Sequence, residues 1–150
     1  MELENAIKAT GQLTIEVRDE AGNIKEIREA KNLVVSVGKT TIASRLVGTS
    51  TAIMSYMAIG TGTATPVVGD TALGTEAGRV ALASGTNTAN VITYTATFPA
   101  GTGTGAITEA GIFNSITVGA ANTILCRTTF PVVNKAAGDS IAVTWQITIS

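Results

Sequence analysis

The sequence predicts an all-β protein: an antiparallel β-sandwich, jelly-roll-like, with one short helix and an N-terminal β-hairpin arm. Three observations lead there. Residues 141–149 alternate strictly, with Ile141, Val143, Trp145, Ile147 and Ile149 on one face and Ala142, Thr144, Gln146 and Thr148 on the other. Residues 92–98 do the same, with Ile92, Tyr94, Ala96 and Phe98 opposite Thr93, Thr95 and Thr97. Period-two alternation of this kind marks half-buried strands. Glycine (16 residues) and threonine are abundant while aromatics make up only 4%, which suits many strands joined by tight turns.

Taken in order, residues 1–10 read as a short polar arm. Residues 12–17 and 24–28 form a charged hairpin around the turn 19–23, and opposite charges are expected to pair across its strands. We divide the chain at this point, into an arm and hairpin (1–30) and a sandwich domain (31–150). An apolar run follows at 31–37. Residues 38–47 then read as the one helix, capped by Ser36 and stopped at Gly48, with Ile42 and Leu46, and Ala43 and Val47, sharing its packing face. Strands are expected at 53–59, 80–83, 87–98, 106–113 and 123–130, the last closed by Pro131, which has no N–H for a ladder. Residues 67–79 form an irregular connection, with a helical turn over 70–73 capped by Asp70. The strands 123–130 and 141–149 are expected to pair, with the rest of the chain around them.

Composition narrows function. At 150 residues the chain fits one domain able to bury a core. A net charge of −1 with 14% charged residues offers no basic stripe for nucleic acid, and little repulsion against self-association. No apolar run approaches the length of a membrane span, and residues 1–10 mix Glu and Lys without the apolar core of a secretion signal. The single cysteine, Cys126, reads as a buried small hydrophobe, and a catalytic thiolate would want a histidine, which the chain lacks.

No catalytic, cofactor-binding or metal site is expected. Asp19, Asp70 and Asp139 are scattered, and no zinc or calcium spacing exists. Among Asp70, Glu76, Glu109 and Asp139 no spacing forms an acid–base pair. Glu109 stands out in an apolar strand and, if buried, requires a cation, Arg127 or Arg79. Gly38-Lys39-Thr40 is like the end of a phosphate loop, but the glycine that motif needs five residues earlier is Leu33. Trp145 and Tyr94 keep the register of core residues rather than of sugar-stacking platforms.

Three stretches carry a resemblance: Lys31-Asn32-Leu33-Val34-Val35 running into Ile42-Ala43-Ser44-Arg45-Leu46; Met57-Ala58-Ile59-Gly60-Thr61-Gly62 running on to Gly69-Asp70-Thr71-Ala72-Leu73; and Ile107-Thr108-Glu109-Ala110-Gly111-Ile112-Phe113-Asn114. Together they resemble small structural proteins of tailed bacteriophages, over residues 31–150. Within that group the chain is most similar to capsid decoration, or cement, proteins. The resemblance implies a non-enzymatic virion protein, made in the host cytoplasm and placed on the outer surface of the capsid. It further implies homotrimers that bridge subunits of the major capsid protein, without nucleic acid, membrane or cofactor. Residues 1–28 and the loops 60–79 and 100–105 are then the interface candidates, and removing 1–28 is expected to abolish shell binding while the sandwich stays folded. Tail-fibre, baseplate or receptor-binding components share the Ile-x-Glu-x-Gly-Ile-Phe strand and form the main alternative. A free-standing ligand-binding module would expose Trp145 or Tyr94 in a cleft, and an enzyme such as a depolymerase would need paired carboxylates.

Overall fold

A computed structural model describes residues 6–150. The elements are β1 (Ala9–Arg18), β2 (Ile24–Val34), α1 (Ser36–Leu46), β3 (Tyr56–Gly60), β4 (Glu76–Ala81), β5 (Ser84–Thr88), β6 (Val91–Phe98), β7 (Gly105–Phe113), β8 (Ile124–Lys135) and β9 (Ser140–Ile149). Among the described residues nine strands join one sheet in the order β4-β3-β7-β8-β2-β1-β9-β6-β5, and every pairing is antiparallel. The sheet curls into a half-barrel. Leu13, Ile15 and Val17 of β1, Phe98 of β6 and Trp145 of β9 share one core with Met57, Ile59 and Ile107, and with Ile112, Cys126 and Val133. The apolar sides of the alternating strands thus line the inside of the curl.

Two places make the curl. At one, β2 leaves β1 and pairs with β8 only through Leu33 and Val34. Side chains close the rest of that seam. Glu26 accepts from the Asn134 amide, Arg28 donates to the Val132 carbonyl, Thr128 donates to the Lys31 carbonyl, and Lys25 pairs with Asp139. At the other, β4 and β5, the two ends of the sheet, are joined by just Leu82 and Ala83. The Leu82 amide donates to Ser55 beside β3, and the Ala83 amide to Thr95 of β6. Consecutive residues thus bond to opposite limbs, as a strand does when it turns a corner.

Several expectations change. The C-terminal strands do not pair with each other: β9 lies between β1 and β6, and β8 between β7 and β2. Their shared sequence pattern reflects a common core rather than a common ladder. Pro131 does not close its strand. Thr108 alone on β7 is opposed by residues 130–132 of β8, so Pro131 sits in a bulge where no ladder N–H is required. The single strand expected over 87–98 is a hairpin, turning at Ala89-Asn90 with positive φ (50°) at Ala89. The two runs at 24–28 and 31–37 are one strand, β2, ending at Val34. The helical turn near Asp70 is a turn over 67–70, closed by the Val67 amide on the Asp70 carboxylate.

The first hairpin is built into the sheet. β1 pairs with β9 over its whole length, and Leu13, Ile15 and Val17 are fully buried. Its charges do not pair across the strands, because the register sets Glu16 opposite Ile27 and Arg28 opposite Ile15. They pair along each strand, Glu16 with Arg18 and Glu26 with Arg28, and fasten the seam to β8.

Candidate interaction surface

The three familiar stretches meet on the outer face of β3, β7 and β8. Glu109 has no exposed surface. Its carboxylate accepts from the backbone amides of Gly62 (2.8 Å), Gly74 (2.9 Å) and Thr75 (2.7 Å), and from the Arg127 guanidinium at 2.9 and 3.1 Å. Arg127 also donates to Asp70 (2.8 Å) and to the Ala64 carbonyl (2.9 Å). The pair that the sequence demanded for Glu109 is therefore made with Arg127. Burial alone would push the Glu109 carboxyl up. The Thr75 and Gly74 amides, the Arg127 guanidinium and the Gly62 amide outweigh it and hold the carboxyl below its usual range. Burial likewise disfavours charged Arg127, and Asp70 with Glu109 keeps it protonated.

The chemistry of this cluster is that of a fastener. Every Glu109 partner except Arg127 lies on the loop between β3 and β4, so the buried ion pair holds that loop against the sheet. Gly62 is required there: a Cβ would lie 2.4 Å from Glu109 Oε1. Leu73 then packs with Phe113, Ala58, Val35 and Ile124 in a second, outer core. Arg79, the other candidate cation, pairs with Glu76, stacks 3.9 Å over the Phe113 ring and donates to the Ser115 carbonyl. It fixes the start of the next loop.

α1 completes this end of the molecule, and it is rotated from the packing that its sequence pattern implies. Val37, Gly38, Thr41 and Ser44 face the sheet, whereas Leu46 and Val47 are 82% and 74% exposed. Gly38 sets the rotation, since a Cβ there would come 2.1 Å from the Leu125 carbonyl oxygen. Ile42, four residues after Gly38, lies at the edge of the packing side and is 37% exposed, while Leu46 and Val47, expected to pack inward, stay in solvent. Ser36 is the first helical residue rather than the cap; Val35 holds the cap position, and the Ser36 amide donates to the Val68 carbonyl. Gly48 does stop the helix, at φ +72°. A groove of about 730 Å³ runs between α1 and the strands below, with Ile7, Ile42, Leu46 and Ile149 on its walls and Lys8 and Lys39 among its lining. A second groove continues past Ile42 to Ile53, Met54 and Tyr94. Val67 and Val68, half exposed, lie beside Ser36.

The other singled-out residues are placed as follows. Trp145 is fully buried in the core. Cys126 is buried, and burial pushes its thiol up, away from thiolate chemistry. Tyr94 is half buried at a groove floor, and burial pushes its hydroxyl up to about 12. Gly38-Lys39-Thr40 lies inside α1, with the Lys39 amide spent on the Val35 carbonyl, which leaves no cradle for a phosphate. Of the interface candidates, residues 1–5 lie outside the described residues, the loop 60–79 exposes Val67 and Val68, and residues 100–105 pack through Gly103 on Ile59 at the far end. Among the described residues there is no group of three metal-ligating side chains, and no helix is long and apolar enough to cross a membrane. The outward side of α1 was missed as a surface because a helix with an apolar stripe normally buries it. Gly38, which lets the start of the helix approach the sheet backbone, was the signal available.

No protein family, no curated protein and no solved structure matches this chain.

Proposed function

We propose that the chain is a virion structural protein of a tailed bacteriophage, a capsid decoration or cement protein. It would bind the assembled shell from outside and stabilise it by bridging major capsid protein subunits. One observation carries the docking part of this reading: α1 leaves Leu46 and Val47 in solvent, beside grooves lined by Ile42 and further apolar residues. Such area on a folded domain supports a protein partner. The phage part rests on the resemblance of the three stretches, whose residues hold the loops at this end in place. A ligand that binds only the assembled shell stabilises it by mass action, and symmetry multiplies modest contacts into avidity.

We further propose that the curled sheet is a flattened, jelly-roll-like sandwich. The sharing of one core by β1, β6 and β9 with β3, β7 and β8 supports this. An experimental map with the limbs about 10 Å apart along their length agrees with it, and a rounder section leaves an open half-barrel.

Location and copy number in purified particles test the function, by cryo-electron microscopy and quantitative mass spectrometry. Decoration requires copies that scale with the major shell protein, and the same map reads whether they sit as homotrimers. A few copies confined to the tail would replace this reading with a fibre or baseplate component.

A further inference from the structure

Among the described residues no strand pairs with the outer side of β5, the five-residue strand that ends the sheet. Its sequence, Ser84-Gly85-Thr86-Asn87-Thr88, has no charge and no proline, and all five residues are exposed. The other edge, β4, carries Glu76 and Arg79 and is opposed by an irregular register at Gly60. Unprotected edges are templates for another strand. The hairpin turn fixes which groups are free. Ala89-Asn90 is a two-residue loop, so Thr88 and Val91 close it as a hydrogen-bonded pair, and pairing alternates from there. Thr86 and Ser84 therefore bond to β6, while Gly85 and Asn87 point their N–H and C=O groups outward.

We propose that β5 pairs with β5 of a second copy, antiparallel, about a two-fold axis at Thr86. This placement sets Gly85 opposite Asn87 of the other copy on both sides of the axis. Their outward groups are then complementary and make four backbone hydrogen bonds in an isologous contact. Thr86 meets its own counterpart on the outer face, a favourable cross-strand pair. On the inner face Gly85 leaves room, and the adjoining groove of about 460 Å³ brings Ile53, which is 65% exposed, next to the contact. The neutral edge and the net charge of −1 oppose no approach of like copies. This contact is independent of the decoration reading, and each can fail alone.

Light scattering after size exclusion, over a concentration series, tests it. The wild-type chain should reach twice its 15.2 kDa mass. Thr86→Lys should stay at one mass, and so should Thr86→Glu, because each sets like charges against each other across the axis. Mixing the two should restore the double mass, and salt should weaken that mixed pair. Asn87→Pro, which removes an outward N–H together with the side-chain bond to the Ala89 carbonyl, should also halve the wild-type mass, with the chain still melting cooperatively. A wild-type monomer or trimer, or a wild-type dimer that survives Thr86→Lys, overturns the proposal. So does a dimer lost on Leu46→Ser, which would move the contact to α1.

Discussion

At the scale of single residues, Glu109 shows how one carboxylate can fasten a whole loop to a sheet. Fully buried itself, it gathers three amides from one loop and one buried guanidinium from the neighbouring strand. Glu109→Ala should leave those donors and a buried Arg127 partly unpaired and cost about 3–5 kcal/mol, read as a lowered urea midpoint. Glu109→Gln should cost less, since it keeps an acceptor. The carboxyls of Glu109 and Asp139 are both held below their ordinary values of 4.5 and 3.8. For Asp139 the Lys25 ammonium is the main cause, followed by the Ala136 amide. As pH falls through the ordinary values the unfolded chain takes up protons first. The stabilisation is therefore complete above them and lost as pH drops through the lower, folded values. Urea midpoints measured from pH 7 to 3 should fall steeply at the acid end, and less steeply in Glu109→Gln. Ala89 gives a prediction of the opposite sign. Its positive φ suits glycine, so Ala89→Gly should raise stability by about 0.5–1 kcal/mol in thermal melts.

At the scale of elements, α1 and the first hairpin show what packing adds to a local sequence pattern. In α1 the close approach of Gly38 to Leu125 decides which side faces the sheet. Gly38→Ala gains about 1 kcal/mol of helix propensity, but the Cβ meets backbone that cannot swing away. The clash should win by about 1–3 kcal/mol, seen as a lower melting temperature and loss of α1 amide protection in hydrogen exchange. The hairpin was expected as a removable arm. β1, however, is one of the two partners of β9 and gives the core three fully buried side chains. Deleting residues 1–28 should therefore abolish cooperative unfolding rather than shell binding alone, and a deletion that still melts cooperatively would restore the arm.

At the scale of the whole molecule, the fold separates a rigid body from an unfinished surface. The half-barrel is held by side chains at the β2–β8 seam and bent by the corner at Leu82-Ala83, while the α1 end leaves Leu46, Val47 and Ile53 in solvent. If that end docks on a shell, each leucine-sized contact contributes about 1.5–3 kcal/mol. Leu46→Ser with Val47→Ser should then weaken particle binding by about tenfold or more per contact, with little change in melting temperature. Retained binding by that double variant would move the docking surface elsewhere.

The all-β class, the turn at 19–23, the end of α1 at Gly48, the burial of Trp145 and the need of Glu109 for a cation all follow from local chemistry. Alternation, turn residues and an isolated carboxylate among apolar neighbours each carry their own signal. The partners of the strands do not. β8 and β9 show the same alternation, and only the three-dimensional course of the connection 136–139 sends them to opposite limbs of the curl. Pro131 read as a stop because a proline cannot serve a ladder, and whether a bulge awaits it depends on the facing strand. The side on which α1 lies was undecided by its own stripe, because a single close approach at Gly38 outweighs the burial of Leu46 and Val47. What a residue prefers is written locally; which surface meets it is set by packing between segments far apart in the chain.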